Sequence, residues 1–278
     1  MTTDLIQTPA APLKSKKLWL LDMDGTIYNE NQIFDGTIDF LNQIKEHGGR
    51  YIFITNNSSK SVSDYVQKVN AMGIEASPQD FYTSSQATAM YIGENFPGQK
   101  IYCMGTRSLI TELRESDLDV TTEPDELATV VLIGFDTENT SEKIRNTCIM
   151  LGRDVTYLAT NPDLVCPVSF GYIPDCGSMS IMLKNATGKE PFFIGKPQPI
   201  MVDCVLKNTG YSREEAIIVG DRLYTDIATG KNAGVDTICV LSGEATMEDI
   251  ENGDVKPTYI FQDVRQIWNV LNELRGEH

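Results

Sequence analysis

The stretch Leu18-Trp19-Leu20-Leu21-Asp22-Met23-Asp24-Gly25-Thr26 decides the fold. Four consecutive apolar residues without polar alternation suit a parallel strand buried on both faces. Gly25 then breaks the strand. Asp22 and Asp24 therefore fall at the carboxyl end of a central strand, where ligands bind in open α/β sheets. Successive strand residues point to opposite faces, so these two carboxylates leave on the same side. Such a pair can hold a hard divalent cation, attack an electrophile and shuttle a proton. Taken alone, the pattern also fits a simple acidic strand-to-turn junction, because Asp and Gly are ordinary turn residues.

The pattern recurs downstream. Asp35–His47 carries Ile38, Leu41 and Ile44 at helical spacing and stops at Gly48. His47 sits at that helix end, where a cationic side chain suits the dipole. Arg50–Ser59 is a second apolar strand ending in Thr55-Asn56-Asn57-Ser58-Ser59, and a helix with Val62, Val66, Val69 and Met72 on one face follows. Strand, helix, strand, helix is the pattern of a parallel sheet with right-handed crossovers. A Thr hydroxyl and backbone N–H groups at Thr55 and Asn56 could bind a phosphate oxygen, or could simply cap the next helix.

Between about Ser84 and Thr187 the alternation continues with different contents. Helices are expected near 86–95, 108–114, 141–151 and 178–185, and strands near 100–104, 130–135 and 156–159. Asn161–Gly177, rich in Pro, Gly, Cys and aromatics, reads as a loop carrying Asp163, Phe170, Tyr172 and Asp175. This region of roughly 100 residues reads as an α/β module inserted into another domain. Phe192-Phe193-Ile194-Gly195-Lys196-Pro197 then reads as a strand that delivers Lys196, a point charge suited to a phosphate or a carboxylate. Ala216–Asp226 repeats the opening design: Ile217–Val219 runs into Gly220-Asp221, and Asp226 follows at a helix start. If the four strands are parallel neighbours, Asp22, Asp24, Thr55, Lys196 and Asp221 meet at one sheet edge.

Composition bounds the function. The chain has 278 residues, enough for two domains. A formal net charge of −16 opposes binding to nucleic-acid polymers or anionic membranes. No apolar run approaches the ~20 residues of a membrane span, and residues 1–16 read as a short N-terminal tail without a signal peptide, so the cytoplasm is the default compartment. Six scattered cysteines without a C-x-x-C pair read as reduced, mostly buried thiols; Cys176, in a loop-like stretch, is the candidate for reactivity. Only two histidines, His47 and His278, are present, which leaves little for zinc sites or serine-hydrolase triads. Neither G-x-x-x-x-G-K-[ST] nor G-x-G-x-x-G occurs.

The order of Asp22-Met23-Asp24-Gly25-Thr26, Thr55, Lys196 and Gly220-Asp221 through Asp226 resembles the four motifs of the haloacid dehalogenase superfamily of aspartate-nucleophile phosphotransferases. More narrowly, Thr55-Asn56-Asn57-Ser58, Thr160-Asn161-Pro162-Asp163, Gly195-Lys196-Pro197 and Val219-Gly220-Asp221 are similar to its C2-capped 4-nitrophenylphosphatase and ribonucleotide monophosphatase-like subgroup. The resemblance covers roughly Lys17 to Leu274. It implies a doubly wound, Rossmann-like parallel-sheet core over 17–83 and 188–278, with an inserted α/β cap over 84–187. It also implies a Mg²⁺-dependent phosphatase of small phosphorylated metabolites working through an aspartyl-phosphate.

In that reading Asp22 is the nucleophile and Asp24 the general acid and base. Mg²⁺ is held by Asp22, the Asp24 backbone carbonyl and Asp221. Thr55, the Asn56 backbone and Lys196 hold the phosphoryl oxygens, and Asp226 orients groups around the metal. The cap would close, exclude water and select the leaving group; a homodimer through the cap is left open. Two alternatives remain: a phosphotransferase or mutase of the same fold, and a non-enzymatic phosphoacceptor module.

Overall fold

A computed structural model describes residues 11–276. The strands, in chain order, are β1 Leu18–Leu21, β2 Tyr28–Asn29, β3 Gln32–Ile33, β4 Arg50–Thr55, β5 Phe81–Thr83, β6 Lys100–Met104, β7 Val120–Thr121, β8 Ala128–Ile133, β9 Thr156–Ala159, β10 Val165–Val168, β11 Gly171–Pro174, β12 Phe192–Phe193, β13 Ala216–Gly220, β14 Asp236–Val240 and β15 Tyr259–Phe261. Two compact units divide the chain. The first comprises Met1–Ile54, Tyr65–Tyr82 and Pro197–His278; the second comprises Thr55–Asp64 and Thr83–Lys196.

The first unit is built on a six-stranded sheet in the order β15-β14-β13-β1-β4-β5. The expected parallel α/β core is therefore present: β1 runs parallel to both β13 and β4, and β14 and β15 extend the series in parallel. All four residues of β1 are buried, as their unbroken apolar run requires. Helix Thr37–Glu46 presents Phe40, Leu41 and Ile44 to the core, and Phe40 meets Trp19 edge-on at 5.4 Å. His47 forms its C-terminal cap, as its place before Gly48 predicts. Further along the sheet, Phe53 of β4 packs against Phe81 of β5 at 5.1 Å between ring centres.

Over its described residues, 11–16, the expected tail is packed against the first unit. Residues 1–10, like His278, lie outside the described residues. Ala11–Ser15 forms a short 3-10 helix whose Leu13 is fully buried. Lys16, also buried, pairs with Asp236 at 2.7 Å and donates to the Glu214 carbonyl at 2.7 Å. One apolar anchor and one satisfied cation fix this segment, and neither produces a periodic signal in so short a run.

The second unit holds a parallel five-stranded sheet, β12-β9-β8-β6-β7. The strand before Lys196 is only Phe192–Phe193, and it pairs with β9 of this sheet (Phe192 with Leu158, Phe193 with Ala159). It is thus not a neighbour of β1, and the supposed row of four adjacent strands does not exist. A strand this short carries no alternation that could say which sheet it joins. The stretch 161–177 is not a plain loop either: β10 and β11 form an antiparallel hairpin. Phe170 and Tyr172 stand at and beside its turn, 81% and 69% exposed. The helix after it begins at Cys176, not Ser178, with Asp175 as its N-cap.

Candidate active site

β1 ends at Leu21, and the ladder is carried one step further by the Asp22 N–H, which donates to the Val219 carbonyl at 2.9 Å. β13 ends at Gly220 and delivers Asp221 beside it. Asp226 comes from the following helical turn, Leu223–Ile227. One carboxylate oxygen from each of Asp22, Asp221 and Asp226 lies within 4.8 Å of the others. Asp221 and Asp226 are buried, and Asp22 is half-buried. At that spacing each pair of negative charges repels by roughly 3 to 4 kcal/mol at an effective dielectric of ~20. Oxygen-only donors gathered this closely are the set a hard divalent cation takes.

Backbone geometry holds the acids there. Gly25 has a φ of +84°, and a Cβ at this position would collide with the Asp221 carboxylate. The segment after β14 clamps Asp221 from the other side. Glu244 N–H donates to Asp221 Oδ2 at 2.8 Å, Ala245 N–H donates to the Asp221 carbonyl at 2.9 Å, and Ser242 Oγ donates to the Gly25 carbonyl at 2.7 Å. Gly243 leaves no space for a side chain against Asp221. Asp226 accepts from the Arg222 N–H at 3.3 Å and lies against Gly220, which also has no room for a Cβ.

Arg222 is the cation beside these acids. Its Nε stands 2.9 Å from Glu244 Oε2. Burial works against its charge, but Asp22, Asp221, Tyr224 and Glu244 together outweigh that and raise its pKa further. Asp24 is not one of the three clustered carboxylates. It accepts from the Tyr28 hydroxyl at 3.3 Å and lies 3.7 Å from Lys68 Nζ, which in turn sits 4.0 Å over the Tyr28 ring. Burial, with help from Asp24, pushes the Tyr28 phenol well above its ordinary range, so it stays a hydrogen-bond donor.

The remaining sequence-predicted residues form a group of their own. Thr55 closes β4, the strand beside β1, and its hydroxyl accepts from the Asn57 N–H at 3.2 Å. In the second unit the Asn56 side chain hydrogen-bonds both the N–H and the carbonyl of Lys196, and it also donates to Asp163. Lys196 is 2% exposed. Cys176 is corrected as a reactive candidate: it is buried, and burial pushes its thiol up to about 12. Sequence reasoning missed the Ser242–Ala245 clamp. Its signal was available, because Leu241-Ser242-Gly243 follows an apolar strand just as Asp22 and Asp221 do.

Comparison with known proteins agrees with the fold. A family profile described as haloacid dehalogenase-like hydrolase matches residues 19–119, and a second, HAD-hydrolase-like, matches residues 193–267. The chain belongs to the haloacid dehalogenase-like hydrolases. An acid sugar phosphatase from Staphylococcus aureus is 37% identical over 254 residues, covering 91% of this chain and 97% of the relative. A 4-nitrophenylphosphatase from Thermotoga maritima superposes with a TM-score of 0.88 at 36% identity, covering 94% of this chain and 99% of that one. A glycerol phosphate phosphatase from Mycobacterium tuberculosis, solved in complex with magnesium, gives a TM-score of 0.86 at 28% identity, covering 91% of this chain and 76% of that one.

Proposed function

We propose that the protein is a Mg²⁺-dependent phosphatase of small phosphate monoesters, with Asp22 as its nucleophile. The observation that carries this is the meeting of Asp22, Asp221 and Asp226 within 4.8 Å at the carboxyl ends of two neighbouring parallel strands. The family supports it, and the similar proteins named as phosphatases of sugar phosphate, 4-nitrophenyl phosphate and glycerol phosphate share one chemical denominator, a phosphate monoester.

Asp22 and Asp221 would hold Mg²⁺ together with the Asp24 backbone carbonyl, while Asp226 orients groups around it. When bound, the cation offsets the repulsion between the Asp22 carboxylate and a phosphate dianion. Asp22 attacks phosphorus in line; the bond from phosphorus to the ester oxygen breaks as the bond to Asp22 forms. Asp24, protonated, gives its proton to the departing alcohol oxygen. The resulting Asp24 carboxylate then takes a proton from water as the water oxygen attacks phosphorus. Inorganic phosphate leaves and Asp22 is restored. Thr55, the Asn56 backbone and Lys196 take the phosphoryl oxygens and stabilise the charge that builds in the transition state.

The test is inorganic phosphate release from a panel of 4-nitrophenyl phosphate, sugar phosphates, nucleoside monophosphates, glycerol phosphate, pyridoxal phosphate and phosphoglycolate with Mg²⁺. Release that disappears in Asp22→Asn is the expected result, and the best ester defines the selectivity. Transfer of phosphate to an added alcohol instead of water would move the assignment to a phosphotransferase. No release from any ester by the wild-type protein would contradict it.

A further inference from the structure

We propose that Asp163 is a positioning residue for Lys196, acting through the side-chain amide of Asn56. The inference rests on the phosphatase reading above, in which Lys196 meets the phosphoryl oxygens. Beyond β12 the ladder to the β9 side continues for two residues: Ile194 N–H donates to the Ala159 carbonyl at 3.0 Å and Gly195 N–H to the Thr160 carbonyl at 2.8 Å. At Lys196 a side chain takes over. Its N–H donates to Asn56 Oδ1 at 2.7 Å, and its carbonyl accepts from Asn56 Nδ2 at 3.0 Å. Asn56 thus imitates a strand for one residue.

These two bonds settle which way the amide faces, because only its oxygen can accept from the Lys196 N–H. The second Nδ2 hydrogen is then aimed at the Asp163 carboxylate, whose oxygens lie at 3.2 and 3.1 Å. Asp163 is itself placed by Asn161, which accepts from the Asp163 N–H at 3.0 Å and donates to the Asn56 carbonyl at 2.9 Å. Asn56, Asp163 and Asn161 form a closed ring, with Asn56 and Asn161 buried, and Lys196 hangs from it through Asn56. Gly195 permits it: a Cβ there would stand 2.6 Å from both Asn56 Oδ1 and the Thr160 carbonyl.

The carboxylate is the strong partner in this ring. A hydrogen bond to a charged acceptor is roughly twice as strong as a neutral one, and it polarises the amide so that Oδ1 accepts more strongly from Lys196. Without Asp163 the amide keeps its two bonds to Lys196 but loses the charged partner that strengthens and steadies them, so the Lys196 backbone is held less firmly. A displacement of about 1 Å at a reacting group can cost on the order of 100-fold in rate.

The test compares wild type, Asp163→Ala, Asp163→Asn and Lys196→Met in three measurements: hydrolysis of 4-nitrophenyl phosphate with Mg²⁺, inhibition by inorganic phosphate, and thermal unfolding. Asp163→Ala is expected to lower kcat by about tenfold or more and weaken phosphate inhibition by a similar factor, with the unfolding temperature nearly unchanged. Asp163→Asn keeps an acceptor oxygen facing Asn56 and should recover most of the loss. Should Asp163→Ala fail to fold, Asp163→Ser, too short to reach the amide, takes its place against Asp163→Asn. An Asp163→Ala protein with wild-type kcat and wild-type phosphate inhibition, while Lys196→Met is inactive, overturns the positioning role alone. Equal impairment of Asp163→Ala and Asp163→Asn overturns it too. Wild-type activity in Lys196→Met would instead remove the phosphate-binding role of Lys196, and the inference with it.

Discussion

The two sheets are the same kind of object with different edges. In the six-stranded sheet the parallel strands β1 and β13 end in Asp22 and Asp221, with Asp226 close behind. In the five-stranded sheet β6, β8 and β9 end in Gly105-Thr106, Gly134-Phe135-Asp136 and Thr160-Asn161. The second edge has a carboxylate as well, but Asp136 is buried with its counter-charge built in. Lys143 Nζ lies 2.8 Å from it and also donates to the Gly105 carbonyl at 2.8 Å, and the Glu138 N–H donates to it at 2.9 Å. One acid neutralised by one lysine is a structural device. Three acids sharing one space are the donor set that, in the function proposed above, a cation would complete. A polar residue at a parallel strand end is therefore not enough to mark function; what marks it is several charges of one sign gathered at one place.

Removing the cation should distinguish the two sheet edges most strongly. Excess EDTA should abolish phosphate release, and added Mg²⁺ should restore it. Mg²⁺ should also raise the unfolding temperature, because a ligand that binds only the folded state stabilises it. Full activity in EDTA would mean that the three carboxylates do not need a cation.

Next comes Gly243→Ala, which forces a methyl group onto Asp221. The Mg²⁺ concentration needed for half-maximal activity should rise by about tenfold, the scale expected when a residue supporting a metal ligand is changed. An unchanged Mg²⁺ requirement would show that the Ser242–Ala245 segment does not hold Asp221.

A smaller effect lies in the second unit. Burial, followed by the neighbouring Glu115, pushes the Glu112 carboxyl up to about 7, partly offset by Ser85. The folded protein therefore keeps this proton over a range in which the unfolded chain has lost it. Stability contributed at this position is present below about pH 4.5 and is lost as pH rises towards 7. Glu112→Gln should accordingly stabilise the protein at pH 8 by about 1–2 kcal/mol, after allowance for solvent screening, and leave it unchanged at pH 4. Equal melting shifts at both pH values would contradict the assignment.

The smallest effect is the counterpart to Gly243. Gly93 lies inside helix Ser84–Asn95 with open space where its side chain would be. Gly93→Ala should stabilise by roughly 0.5–1 kcal/mol and leave the Mg²⁺ requirement alone. A loss of stability at this position would mean that its surroundings are tighter than the structure describes.

The core of the fold was legible because its strands are long apolar runs closed by helix-period segments. Leu18–Leu21, Arg50–Thr55 and Ala216–Gly220 announce themselves, and their terminal residues Asp22, Thr55 and Asp221 could be read with them. Phe192–Phe193 could not be placed, since two residues paired to Leu158 and Ala159 leave no period to read. The hairpin at 165–174 was hidden by its Pro, Gly and Cys content, which reads as loop. Asp163 stood in the stretch Thr160-Asn161-Pro162-Asp163 that carried the family resemblance. Its contact with Asn56 spans 107 residues of chain, and no local pattern encodes a contact of that range. Leu13 and Lys16 were missed because single anchors, unlike amphipathic faces, leave no periodic trace.

In the proposed mechanism Asp22 carries the phosphoryl group in turnover. This role is tested by mixing an Asp24→Asn protein, which lacks the group proposed to clear the intermediate, with 4-nitrophenyl phosphate and Mg²⁺. The reaction is quenched in acid and the peptides are analysed by mass spectrometry. A phosphoryl group on the peptide bearing Asp22, absent from an Asp22→Asn/Asp24→Asn double variant, is the predicted result. Product release with no phosphorylated peptide, or a phosphoryl group on a different residue, would contradict it.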